Sequence, residues 1–144
     1  MSAFDDLYQE IVMDHYRSPR NAARLDHIPQ SMAHENPTCG DSLKLEVVID
    51  KDARLSQVRF DGRGCAISTA SASLMTETVK GLSVSEARNL ADTFIRALRG
   101  EAPVETLDEL GDLVAFKGLT SFPVRVKCAT LAWHALLVSL PGGN

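Results

Sequence analysis

The chain contains three cysteines, Cys39, Cys65 and Cys128, which lie far apart in its 144 residues. An odd number of cysteines, behind N-terminal residues that lack an export signal, does not form a disulfide framework. The paired C-x₂₋₄-C spacing that is typical of structural zinc sites is also missing from the sequence. The fold must therefore accommodate three free thiols, as small buried hydrophobes, as reactive groups or as metal ligands.

Hydrophobic periodicity predicts a single α+β domain over residues 1–144. A helix is predicted over residues 4–16, with Ser2 as its cap and Pro19 as its stop. An irregular polar stretch at 21–38 precedes a strand with period-two alternation at 42–49, which a turn at 50–53 joins to a return strand at 55–60. Helices are then predicted at 66–79, at 83–100 behind a capping box, briefly within 101–112, and at 123–140.

Composition argues against two classes of protein. The formal net charge of −4 does not fit a general nucleic-acid binder, because such proteins usually carry a basic face. No apolar run approaches the roughly 18 residues that a membrane span needs. Asp5, Asp6 and Glu10 stand where a signal peptide would be basic and then apolar, so we expect a cytoplasmic protein.

Each cysteine is predicted to lie at the end of a secondary-structure element. Cys39 falls in a Pro/Gly turn before the first clear strand, a setting that places a short side chain on a loop. Cys65 follows Gly64 between a strand and a helix, where the helix N-terminus favours a thiolate. Cys128 falls in the first turns of the last helix. Positions at element ends, rather than in mid-core, are typical of reactive or ligating groups.

Other polar residues near the cysteines have structural alternatives. Gly62 and Gly64 do not complete a dinucleotide-binding fingerprint, because Ile67 occupies the place of its third glycine. Asp41, taken alone, is typical of a turn residue as well as of a ligand. His34 has no second histidine at the helical spacing of a zinc protease, so a hydrolytic metalloenzyme is not predicted.

Taken together, these segments resemble the IscU/NifU N-terminal family. The resemblance covers nearly the whole chain and is carried by three cysteine motifs, NPTCGD at 36–41, GRGCAIS at 62–68 and PVRVKC at 123–128. Tyr8, Ile11, His15, Tyr16, Pro19 and Asn21, in and after the first helix, are also similar to the family. The resemblance implies a small antiparallel sheet of about three strands with helices packed around it. The third strand is expected from the resemblance alone.

Two features of the sequence resemble the SufU-type branch of this family. The members of that branch are zinc-dependent sulfurtransferases of the SUF system. The scaffold branch carries a histidine immediately before its third cysteine, whereas Lys127 holds that place here. The 62 residues between Cys65 and Cys128 also fit the longer segment of the SufU-type branch. The resemblance then implies that Cys39, Asp41, Cys65 and Cys128 bind Zn²⁺, an acceptable tetrahedral set. Arg125 and Lys127 either reduce the negative charge of that site or remain a solvated pair.

The resemblance implies that a SufS-type cysteine desulfurase donates persulfide sulfur to Cys39, which a ligand from that partner frees from zinc. A downstream SUF cluster scaffold would then receive the sulfur. Two alternatives remain open at this point. The same cysteines can hold a [2Fe–2S] cluster while it is assembled, or they can form a purely structural zinc site.

Overall fold

The structure is a computed structural model that describes residues 3–37 and 40–142, with the side chains of residues 3–5 excepted. Its helices are α1 (Ala3–Arg17), α2 (Ala66–Val79), α3 (Val84–Leu98) and α4 (Pro123–Ser139), with 3-10 helices at Gln30–Met32, Val104–Glu109 and Gly111–Ser121. Its strands are β1 (His34–Asn36), β2 (Asp41–Ile49) and β3 (Leu55–Arg63). The predicted α+β class and the three-stranded sheet are confirmed.

The sheet is antiparallel in the order β1-β2-β3. Leu43 and Leu45 of β2 are buried, and Leu45 pairs with the buried Phe60 of β3, so one face of the sheet is apolar. The helices α2 and α4 pack against this hairpin and against each other. The core is completed by Trp133, whose ring centroid lies 4.7 Å from that of Phe94. The apolar face of a hairpin thus fixes where the N-terminal ends of α2 and α4 lie.

Three elements differ from the expectations drawn from local sequence. The strand β1 lies inside the stretch 21–38 that we predicted to be irregular, because three residues are too few to show alternation. The strand β3 continues to Arg63 instead of stopping at residue 60, which brings its end next to Cys65. The acidic connection forms 3-10 turns that continue to Ser121. The proposed cap Ser2 lies outside the described residues.

Within residues 3–37 and 40–142, no helix combines the length and the apolar character that crossing a membrane requires.

Candidate metal centre

Three of the four predicted ligands converge at one end of the sheet. Asp41 is the first residue of β2, Cys65 lies between β3 and α2, and Cys128 lies in the second turn of α4. One ligand atom from each of these residues lies within 4.8 Å of the other two. Two atoms bound to one zinc ion at roughly 2.3 Å can be at most about 4.6 Å apart. The fourth predicted ligand, Cys39, lies outside the described residues.

The pairing of β2 with β3 explains how Asp41 and Cys65 meet. Ser42 pairs with Arg63 in the antiparallel ladder. Asp41, which precedes Ser42, and Gly64, which follows Arg63, therefore lie at the same end of the hairpin. Gly64 passes so close to Asp41 that a Cβ atom on it would lie 2.4 Å from the Asp41 Oδ1 atom. Such a distance is far below van der Waals contact. The glycine before Cys65 is therefore needed for the approach of the carboxylate, rather than for a positive backbone φ angle.

The carboxylate of Asp41 is buried and only half satisfied. Its side chain is 2% exposed, and Oδ1 accepts a hydrogen bond of 3.1 Å from the backbone N–H of Cys65. The other oxygen, Oδ2, is buried without a hydrogen-bond partner among the described residues. An ionised oxygen in such a position is costly unless a cation or a donor meets it. The site therefore has an oxygen suited to a metal ion.

The two described cysteines differ in exposure. Cys65 is half-buried at the N-cap position of α2, and its Sγ lies 3.8 Å from the hydroxyl oxygen of Ser68. Cys128 is 1% exposed, and its Sγ accepts a hydrogen bond of 3.9 Å from the side-chain amide of Asn36. We expected every cysteine to avoid the core, and for Cys128 this was wrong. The sulfur is buried because α4 presents it to β1 and α2 within the packed layer.

The described donor set fits zinc. Two thiols and one carboxylate group lie close together, and the missing side chain at Gly64 leaves room for the carboxylate. Soft sulfur donors favour zinc over the hard cations Ca²⁺ and Mg²⁺, which prefer oxygen ligands. A shift of about 1 Å or less would bring the three atoms to the separations of a tetrahedral set.

The family model for the NifU-like N-terminal domain matches residues 7–129, a span that includes all four predicted ligands. The chain belongs to the NifU-like N-terminal family.

Relatives of this family member are named as a sulfurtransferase and as scaffold proteins of iron–sulfur cluster assembly. It is 42% identical to the zinc-dependent sulfurtransferase SufU of Bacillus subtilis, over 97% of this chain and 95% of that protein. It is also 42% identical to the cluster assembly scaffold protein IscU of Streptococcus pyogenes, over 94% of this chain and 84% of that protein. The crystal structure of a putative SUF-system scaffold protein from Fervidobacterium islandicum superposes with a TM-score of 0.75 at 29% identity, covering 91% and 94% of the two chains. The resemblance to SufU-type members of the family is confirmed.

Sequence reasoning missed the residues that support the ligands in this NifU-like chain. Asn36, Ser68 and Gly64 all belong to the quoted motifs, but the sequence did not predict that they contact Cys128, Cys65 and Asp41. Their positions within three residues of a cysteine were the available signal. Lys127 lines a depression of about 340 Å³ between α3 and α4, on the side of α4 away from Cys128. Arg125, three residues before Cys128, is the basic residue on the side of the ligands.

Proposed function

We propose that this protein is a zinc-dependent sulfurtransferase, which accepts persulfide sulfur from a SufS-type cysteine desulfurase for iron–sulfur cluster assembly. The observation that carries the proposal is the convergence of Asp41, Cys65 and Cys128, together with an Asp41 oxygen that has no hydrogen-bond partner among the described residues. The 42% identity to the Bacillus subtilis sulfurtransferase, over nearly the full length of both chains, supports the same activity. The whole chain, residues 1–144, would act as one domain.

We propose Cys39 as the fourth ligand, together with Asp41, Cys65 and Cys128. Zinc bound there would keep the thiols deprotonated and ordered and would lower their nucleophilicity. The buried Cys128 and the helix-capping Cys65 are fixed by α4 and α2, so these two residues are suited to permanent ligation. Cys39 falls in the connection between β1 and β2, next to Gly40, and is the ligand that we assign to chemistry.

The proposed transfer is a thiol–disulfide type of displacement. The Cys39 thiolate attacks the terminal sulfur of the persulfide on the desulfurase, so that a new S–S bond forms on Cys39. The S–S bond of the donor breaks at the same time, and the desulfurase cysteine leaves as a thiolate. No net oxidation occurs, since one persulfide replaces another. A downstream SUF cluster scaffold would then take the sulfur from Cys39.

The proposal is tested with a desulfurase assay that follows sulfide release and persulfide on this protein. We expect wild-type protein with zinc retained to stimulate the desulfurase and to carry labelled sulfur. Zinc-stripped protein and Cys39→Ala are expected to lose both effects. Gly118→Ala is a suitable control, because a Cβ atom at Gly118 meets nothing within 4 Å. Full stimulation by Cys39→Ala would remove Cys39 from the acceptor role.

A scaffold that carries a [2Fe–2S] cluster is the second candidate function. It is supported by the identity of 42% to the Streptococcus pyogenes scaffold protein, which equals the identity to the sulfurtransferase. Thiolate ligands suit such a cluster as well as zinc. Purification without oxygen separates the two functions. About one zinc per chain without visible absorption favours the transfer function. Bound iron and acid-labile sulfide with visible absorption favour the scaffold function.

A further inference from the structure

Asn36 links two of the proposed ligands that come from different parts of the fold. It is the last residue of β1, is 7% exposed, and pairs with Asp41 across the β1–β2 ladder. Its side-chain Nδ2 lies 3.9 Å from Cys128 Sγ. The strand β1 packs against α4, which carries Cys128. One buried amide therefore connects the hairpin of Asp41 with the sulfur on α4.

The chemistry of this contact suits a thiolate. The nitrogen of a side-chain amide only donates, and a deprotonated sulfur only accepts. The contact at Cys65 is different in kind. The Ser68 hydroxyl donates to the backbone oxygen of Cys65 at 3.1 Å, which leaves its oxygen facing Cys65 Sγ at 3.8 Å as an acceptor. The Asn36 contact supplies a donor to the Cys128 sulfur, as a metal-bound thiolate requires, whereas the Ser68 contact supplies no donor to the Cys65 sulfur.

We propose that Asn36 is a positioning residue that holds the Cys128 sulfur in the metal-ligand set and makes it less reactive than Cys65. The inference rests on the zinc site of the proposed function, and it does not depend on sulfur transfer. A hydrogen bond to a ligating sulfur fixes its direction and draws electron density from it. Cys128 would thus stay bound while another cysteine of the site reacts.

The test compares zinc-loaded Asn36→Leu with wild-type protein. Leucine has a similar size and no N–H, so the variant removes the donor with little change in volume. We expect zinc to pass to a chromogenic chelator roughly 10-fold faster, in line with the 10–100-fold affinity losses seen for other outer-shell partners. With zinc bound, alkylation by iodoacetamide followed by peptide mass spectrometry should show a higher ratio of Cys128 to Cys65 modification.

Ser71→Ala is the matched control, because the Ser71 hydroxyl donates to the backbone carbonyl of Ala129, the residue after Cys128. It should lower thermal stability and leave the alkylation ratio unchanged. If Asn36→Leu releases zinc at the wild-type rate, or if Ser71→Ala changes the ratio equally, the inference is overturned. Wild-type protein that holds no zinc would overturn the zinc site and this inference together.

A second measurement uses wild-type protein and needs no variant. In ¹⁵N-labelled protein, zinc addition should shift the side-chain amide resonance of Asn36 and slow its hydrogen exchange, because the bond to a ligating sulfur strengthens. The side-chain amide of Asn21, which donates to Thr76 at 3.0 Å, is the internal control and should not shift. Equal responses of the two amides would contradict the proposal.

Discussion

Two buried polar clusters contact the helix α2, and they differ in how completely they are paired. The first is the metal centre at the N-terminal end of α2. The second, further along the helix, is centred on Ser73, whose Oγ lies 2.7 Å from His15 Nδ1 and accepts the backbone N–H of Arg20 at 2.8 Å. One turn later, Thr76 accepts a hydrogen bond from Asn21. Both clusters connect segments that are distant along the chain.

Within the described residues, the buried acceptors of the second cluster all have hydrogen-bond partners, whereas one acceptor at the proposed metal centre has none. In the second cluster a guanidinium nitrogen, Arg20 Nη1, is buried with no hydrogen-bond partner among residues 3–37 and 40–142, but the same side chain forms an ion pair of 2.6 Å with Asp14. At the proposed metal centre, one carboxylate oxygen of Asp41 has no hydrogen-bond partner in the part of the chain that the structure describes, and the carboxylate lies close to the sulfurs of Cys65 and Cys128. A buried polar oxygen is costly unless a donor or a cation meets it, so the Asp41 oxygen is suited to a metal ion, whereas internal pairing is typical of a structural role.

The largest expected effect is the loss of zinc from Cys128→Ala. This variant removes a proposed ligand from the metal centre and leaves the Ser73 cluster unchanged. We expect metal analysis to find less than about one tenth of the wild-type zinc content, since a buried soft ligand is lost. Ser71→Ala, which leaves the N–H of Trp133 without its 3.1 Å acceptor, should keep the zinc and lose roughly 1–3 kcal/mol of unfolding free energy. Equal zinc content in Cys128→Ala and wild-type protein would break the comparison.

A smaller loss is expected for Gly64→Ala, which tests whether the carboxylate must approach the cysteine loop. The new Cβ atom would lie 2.4 Å from both Asp41 Oδ1 and Ser68 Oγ, so the carboxylate must move. We expect zinc affinity to fall about 10–100-fold in a chelator competition. Gly62→Ala is the control, since its Cβ atom would meet its nearest neighbours at 3.4 Å. Equal affinities in the two variants would show that the position of Asp41 is unimportant.

The smallest expected effect is a change in the pH dependence of stability, which arises from His15 in the second cluster. Burial lowers the pKa of His15 below its usual value, and the Arg20 guanidinium lowers this pKa further, while Glu77 opposes the shift. The folded state therefore favours the neutral ring. Its contribution to stability is present above the unfolded pKa, about 6.5, and is lost as the pH falls through that value towards the folded pKa.

Denaturant unfolding at pH 7.5 and 5.5 measures this effect. The stability of His15→Gln should fall less than that of wild-type protein over this range, by about 1 kcal/mol or less. Burial also lowers the pKa values of His34 and His134. These two histidines therefore reduce stability as the pH falls in wild-type protein and in His15→Gln alike. Identical pH dependence in His15→Gln and wild-type protein would contradict the role of the buried ring.

The long elements could be predicted from the sequence, because their signals are local. The helix Ala66–Val79 and the Ser83–Glu86 capping box appear in the structure as the periodicity and the cap residues indicate. The strand His34–Asn36 could not, since its three residues become a strand only by pairing with β2. At the site, the resemblance of the three cysteine motifs to the family implied the proposed ligands. The burial of Cys128 and the contact from Asn36 arise from packing between distant elements, which a sequence does not display.

The central claim is that side chains from separate elements hold one zinc ion. Zinc-edge X-ray absorption on protein purified without oxygen, with metal content measured on the same sample, tests it most directly. We predict about one zinc per chain, with a first shell of three sulfur atoms and one oxygen atom. A zinc shell without sulfur, or protein in which iron replaces zinc, would contradict the account.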